Sequence, residues 1–274
     1  ALAQYFADEV LPLLDGKYAH ATGAALFSAA ADVAQLLGWT AYDLAHHGLA
    51  ERYFIQAVRL ADAAGDRAMA ARLLANMSHQ ATYLGRFTDA VQLARAAQVG
   101  ARGRASATVV SNLLAMEARA HAAAGDGRAC DYVLREAEAM FGRRRPADDP
   151  PWISYFTESE LAGEAAHCFR DLRRPKLAQE FVPNALRIRD EGCTRSAAFI
   201  GLVHAASCLH APRTDVDRAI AVATEAIQSA AALKSDRYQR YVRDFCADLK
   251  RYSSVPSVQE FLHTVREASP GAAA

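Results

Sequence analysis

Along the chain, apolar and polar residues interchange with the period of an α-helix. The strict alternation that marks a half-buried strand is hard to find. The opening stretch LAQYFADEVLPLLDG, residues 2–16, already reads as the middle of an amphipathic helix. Alanine dominates, while glycine (15) and proline (9) are scarce. That mix favours helix, because alanine loses no side-chain entropy there. The pattern predicts an all-α protein.

The small residues recur at long range. Ala50 opens AERYFIQAVRLA, Ala90 opens AVQLARAAQVG, Cys130 opens CDYVLREAEAMF, Ala178 opens AQEFVPNALRI and Ala219 opens AIAVATEAIQSA. The spacings between them are 40, 40, 48 and 41. Seven positions after each comes a second small residue: Ala57, Ala97, Ala137, Ala185 and Ala226. The preceding turns match as well. YLGRFTDA holds Gly85 and AAGDGRAC holds Gly125, with DLRRPKLA and APRTDVDRA in the fourth and fifth places. A degenerate sixth unit, DRYQRYVRDFCADLKRYSSVPSVQEFLHTV, follows.

Each unit is predicted as helix, short turn, helix and loop, with helices on the order of 12–16 residues. Small residues let antiparallel helices approach, and Phe54, Leu93 and Leu134 are the larger side chains expected to interdigitate there. No unit buries its face alone, so the units must stack. They fall near 23–64, 65–102, 103–144, 150–192, 194–233 and 236–268, within a repeat domain at 21–270. Residues 1–20 read as a helix continuing from sequence upstream, and 271–274 as a tail. The long third spacing places an insertion at GRRRPADDPP, residues 142–151. Thr157 and Glu160 behind it form a capping-box pattern that marks a helix start.

This arrangement resembles the tetratricopeptide repeat. In that family a leucine-glycine pair lies midway along the first helix and a glycine lies in the turn. Small, aromatic and small residues then follow on the second helix. Leu37, Gly38, Ala50, Phe54 and Ala57 match in the first unit. Gly85, Phe87, Ala90 and Ala97 match in the second, and Gly125 and Ala137 in the third. The period near 40 exceeds the family's ~34, and the unit-ending proline is absent, so helices or loops must be longer. The resemblance covers most of the chain. It implies an all-α, right-handed superhelical solenoid of roughly six antiparallel helix pairs.

A narrower likeness lies in YFADEVLPLL, LLGWTAYDLAHHGLAERYFIQAVRLADAAGD, HQATYLGR and ELAGEAAHCFRDL. These stretches resemble the C-terminal part of large actinobacterial transcription regulators. There, an XRE-type helix-turn-helix domain precedes a tetratricopeptide region, and some members are tied to sporulation and antibiotic production. The likeness implies a DNA-binding domain upstream of Ala1. No helix-turn-helix reader is visible in the residues present.

Charge adds exclusions. Lys plus Arg (31) balance Asp plus Glu (31), so the chain lacks the broad field that draws proteins to nucleic acid or anionic lipid. The three arginines of GRRRP (residues 142–146) read as a solvated loop, with a docking patch as the alternative. Five scattered cysteines, Cys130, Cys168, Cys193, Cys208 and Cys246, suit a reducing cytoplasm, mostly as small buried residues. No run approaches 18 uncharged apolar residues, so no membrane span is expected.

Enzyme signatures are missing too. There is no H-E-x-x-H, C-x-x-C, G-x-S-x-G or P-loop, and GARGRAS (residues 100–106) reads as a loop between repeats. Asp43, His46 and His47 fall at the end of the first helix and in the turn before Ala50. Turn and cap chemistry, ligand contact and a metal site all remain open there, with cap chemistry favoured by the spacing.

The remaining surface is the concave side, lined by the first helix of each unit. The register points Asp32, Gln35, Trp39, Tyr42 and Asp43 inward from the first unit, and Arg72, Asn76, His79 and Tyr83 from the second. Asn112 and Arg119 follow from the third, Glu160, His167, Arg170 and Asp171 from the fourth, and His204 from the fifth. Amides that both donate and accept, guanidinium forks and aromatic anchors suit an extended peptide. A bland packing role for Trp39 and a wet polar groove is the alternative.

The resulting expectation is a non-enzymatic sensory and oligomerisation domain of a cytoplasmic transcription regulator. It binds a short peptide or other small effector in the groove, without cofactor or metal. It forms a homodimer, reaches DNA only through the upstream domain, and has no membrane partner. The alternative is a tetratricopeptide scaffold for protein–protein interaction without a small effector. The dimer seam is expected at exposed apolar residues of Val255–Val265 or of the first helix.

Overall fold

The computed structural model describes residues 1–187 and 194–268. Cys193 and the 271–274 tail lie outside the described residues. Among the described residues every regular element is helical. An N-terminal helix α1 (Leu2–Tyr5) runs on through a π turn (Phe6–Val10) and a 3-10 turn (Leu11–Asp15). Then come α2 (His20–Asp43), α3 (His47–Ala63), α4 (Arg67–Tyr83), α5 (Phe87–Ala101), α6 (Ala107–Ala123) and α7 (Gly127–Gly142). Two 3-10 turns, Pro146–Asp148 and Pro151–Ile153, precede α8 (Glu158–Asp171). The chain continues with α9 (Pro175–Ala185), α10 (Thr194–His210), α11 (Val216–Ser229), α12 (Asp236–Leu249) and α13 (Pro256–Ala268).

Contacts divide the chain into two compact units. One holds residues 1–124 and 128–154; the other holds 125–127 and the chain from 155 onward. In the first unit α2 packs on α3 and α4 on α5, with α4 also against α6. In the second, α8 packs on α9 and α10 on α11, while α10 touches α8 and α12. Sequential pairs with first helices side by side are what the repeat requires.

The small register positions explain the close approach. Ala50, Ala90, Cys130, Ala178 and Ala219 are fully buried, as are Ala57, Ala97, Ala137 and Ala185, and Ala226 is nearly so. Gly38 on α2 leaves room for Phe54 on α3: a Cβ there would lie 2.5 Å from the Phe54 ring. Phe54 and Leu134 are buried as expected, and Leu93 is partly buried.

Helix ends follow local chemistry. Asp66, Ser106, Asp215 and Ser235 each accept a hydrogen bond from a backbone N–H three residues on. Thr157 does the same toward Glu160 at 3.4 Å, which supplies one half of the expected capping box. The Glu160 carboxyl turns to Ser196 instead. GARGRAS is loop only from Arg102; Gly100 and Ala101 finish α5.

Two expectations are corrected. Several helices exceed the expected 12–16 residues: α2 has 24, and α3, α4, α6 and α10 have 17 each. The extra turns supply residues that lengthen the repeat beyond the family's period. Helix α2 is long and apolar enough to cross a membrane by length and composition alone; it is interrupted by Asp32, as the absence of an 18-residue uncharged run requires, and packs on α3. Finally, Val258, Phe261, Leu262 and Val265 are buried in the core of the second unit beside Phe245 and Leu249. They supply no exposed seam, whereas Tyr5 and Leu13 at the N-terminus are exposed.

Candidate ligand-binding face

The α2–α3 turn sets the geometry. Ala45 takes a left-handed φ of 61°, and the His46 N–H donates to the Ala41 carbonyl at 2.8 Å. Gly85 and Arg86 repeat this after α4, with Arg86 N–H on the Ala81 carbonyl at 2.9 Å. Both are Schellman closures. They turn the chain so that His46 sits exposed at the start of α3 and His47 faces inward. The Gln80 side chain on α4 donates to the His47 carbonyl at 2.9 Å, tying this turn to the next first helix.

An aromatic cluster grows from that tie. Trp39 stacks on Tyr42 at 5.6 Å between centroids and meets Phe54 and His79 edge-on at 5.9 and 5.6 Å. Tyr83 meets Tyr42 at 5.5 Å and His47 at 5.6 Å. Tyr42 is fully buried, and its hydroxyl lies 3.1 Å from His79 Nδ1. Such ring pairs contribute about 0.5–1.5 kcal/mol each beyond burial. Trp39, Tyr42, His79 and Tyr83, expected on one face, therefore meet. His47 and Phe54 join them, and sequence had assigned neither to the face. Trp39, His79 and Tyr83 keep part of their surface open.

The polar members are deeper than an open wet groove requires. Gln35 is 8% exposed and Asn76 9%, and Asn112 and Arg119 are buried as well. Gln35 Oε1 and Asn76 Nδ2 are buried with no hydrogen-bond partner. Leaving such an atom unsatisfied costs about 1–3 kcal/mol. One is an acceptor on α2, the other a donor on α4.

Arg72, one turn before Asn76, is already engaged. Its guanidinium lies 4.8 Å from the centroid of Trp152, which directly follows the insertion. A contact of this kind is worth about 0.5–2 kcal/mol. Burial pushes the neighbouring Asp32 carboxyl above its usual range; the Arg72 charge opposes this and Asp66 adds to it. Asp149 in the same insertion accepts from the Thr108 hydroxyl on α6 at 2.7 Å. No sequence signal pointed to Trp152, because the segment between α7 and α8 lies outside the repeat register.

The second unit holds its own polar group. Tyr241 on α12 brings its hydroxyl within 3.2 Å of His167 Nδ1 on α8, and the Arg170 guanidinium lies 4.2 Å over the Tyr241 ring. Arg170 also donates to Asp171 at 2.8 Å. Burial and the Glu164 charge push the Glu160 carboxyl up to about 7, against a lowering hydrogen bond from Ser196. Burial, with Arg218, lowers His204 below its ordinary value. Tyr241 lies in the degenerate sixth unit, where the repeat register assigns no inward position.

Among the described residues, no group of three or more His, Cys, Asp or Glu side chains is placed to hold a metal ion. His47, the first residue of α3, packs against Tyr42 and Tyr83. No protein-family model matches the chain, and no curated protein matches it.

Proposed function

We propose that the chain is a tetratricopeptide-like sensory and oligomerisation domain of a cytoplasmic transcription regulator, with the α2–α4 face of its first unit as the effector site. One observation carries the reading of the site: the unpaired Gln35 acceptor and Asn76 donor beside the partly open Trp39–His79–Tyr83 cluster. A peptide unit offers one N–H and one C=O, which complements this pair. The aromatic edges then hold an apolar side chain beside it. A small rotation of the two amides brings them to the ligand.

A ligand that bridges α2 and α4 ties two successive helix pairs together. It changes their packing only as far as it binds one arrangement better than another. In a dimer, that change would alter the spacing of two DNA-binding domains, to which operator half-sites are sensitive. The right-handed superhelix of six helix pairs and the upstream helix-turn-helix domain belong to the same proposal, on the strength of the repeat register and the sequence likeness.

The test starts with a displayed random-peptide library. Enriched peptides are titrated calorimetrically into the wild type, Asn76→Ala and Asn112→Ala. Affinity should fall roughly tenfold for Asn76→Ala, the loss of about one charge-free hydrogen bond pair in a dry site. The helical circular dichroism should stay unchanged. Unchanged affinity in both variants removes the peptide-face reading. Enrichment of none, with capture of a folded partner burying roughly 1,600 Å², would instead favour a scaffold.

A further inference from the structure

The segment between α7 and α8 is not a free loop. Pro146–Asp148 and Pro151–Ile153 form two short 3-10 turns, and Ile153 is fully buried. Asp149 is fastened to Thr108 in the first turn of α6, and Trp152 lies on Arg72 of α4. Those two helices pack side by side. The segment therefore crosses two adjacent first helices, and it lands on a residue of the proposed ligand face.

We infer that residues 146–153 form a strap that closes this face, and that a ligand enters by displacing Trp152 from Arg72. The inference rests on the reading of the α2–α4 face given above.

Three features make the strap exchangeable. Its named ties are one cation–π contact and one side-chain hydrogen bond, and each can be replaced by an equivalent contact from a ligand. The closed arrangement leaves Asp149 Oδ1 buried without a partner. Unsatisfied buried polar atoms weigh against the closed state and are relieved on opening. Pro146, Pro150 and Pro151 restrict the backbone, so the segment moves as a stiff piece. Ile153 is the anchor at one end. Gly142, with open space around its Cα, is a hinge at the other.

The test uses the whole chain and needs no ligand. Asn76→Cys places a thiol on the face, and its alkylation by a maleimide is followed by peptide mass mapping. Trp152→Ala and, separately, Thr108→Val loosen the strap at its two ties. Labelling at position 76 should rise roughly tenfold in Trp152→Ala, as a loss of about 1.4 kcal/mol in closure dictates, and rise by a smaller factor in Thr108→Val. Circular dichroism verifies that each variant is folded, and Thr108→Val serves alone if Trp152→Ala is not. An unchanged labelling rate in the folded variants overturns the strap. Selected peptides then separate the two ideas. Tighter binding by Trp152→Ala supports strap and site together, because a larger open fraction raises apparent affinity. Faster labelling in a protein that binds no peptide upholds the strap and rejects the effector site.

Discussion

Ala45, Gly85, Gly125 and Arg173 occupy the same place in successive units, and all four take left-handed φ values, at 61°, 77°, 80° and 54°. Only the two glycines were visible in sequence as turn markers. The conformation belongs to the Schellman closure, and a side chain is tolerated there at a cost of roughly 1 kcal/mol. Ala45→Gly should therefore stabilise the protein by up to about 1 kcal/mol, read as a higher urea midpoint at unchanged slope. No shift, or a lower midpoint, would mean that the turn is not strained at Ala45.

Glu160 gives a second residue-scale prediction. Its carboxyl is raised from 4.5 to about 7 in the folded protein. The folded state thus holds a proton that the unfolded chain has released. Stability from this group is intact below pH 4.5 and is lost as pH rises to about 7. The loss is on the order of 2–3 kcal/mol. Glu160→Gln should remove that pH dependence and unfold at higher urea than wild type at pH 8. Parallel pH profiles for the two proteins would contradict the buried-carboxyl account.

At the scale of helices, the pairing was legible because it depends on small residues at fixed intervals. Ala50, Ala90, Cys130, Ala178 and Ala219 are buried where the register required. Lengths were less legible, since α2 extends to 24 residues without an internal stop signal. The face was legible in part. Trp39, Tyr42, His79 and Tyr83 follow the register and meet, but the depth of Gln35 and Asn76 does not follow from spacing. It depends on how neighbouring helices and Trp39 pack around them. Trp152 was not legible at all, because long-range contacts of the segment between α7 and α8 leave no periodic trace.

One hydrogen bond between α2 and α4 can be removed while their ring contacts stay. Tyr42→Phe keeps the ring contacts and removes the hydroxyl beside His79 Nδ1. It should cost about 1 kcal/mol and speed amide exchange at the C-terminal turns of both helices. Equal exchange in the two proteins would show that the rings alone hold the pair.

For the whole molecule, the proposed function turns on which helices a ligand would engage. Balanced charge, 31 basic against 31 acidic residues, gives no general field to explain binding. On the proposed function, recognition comes from a local face. The two compact units each carry polar groups on their first helices, but unpaired buried amides beside partly open rings are found on α2 and α4. Amide hydrogen exchange of the chain, with and without a library-selected peptide, addresses this directly. The account predicts slower exchange in α2 and α4 on binding, with faster exchange in residues 146–153 as the strap lifts. Protection confined to α3 and α5, the second helices, would contradict it.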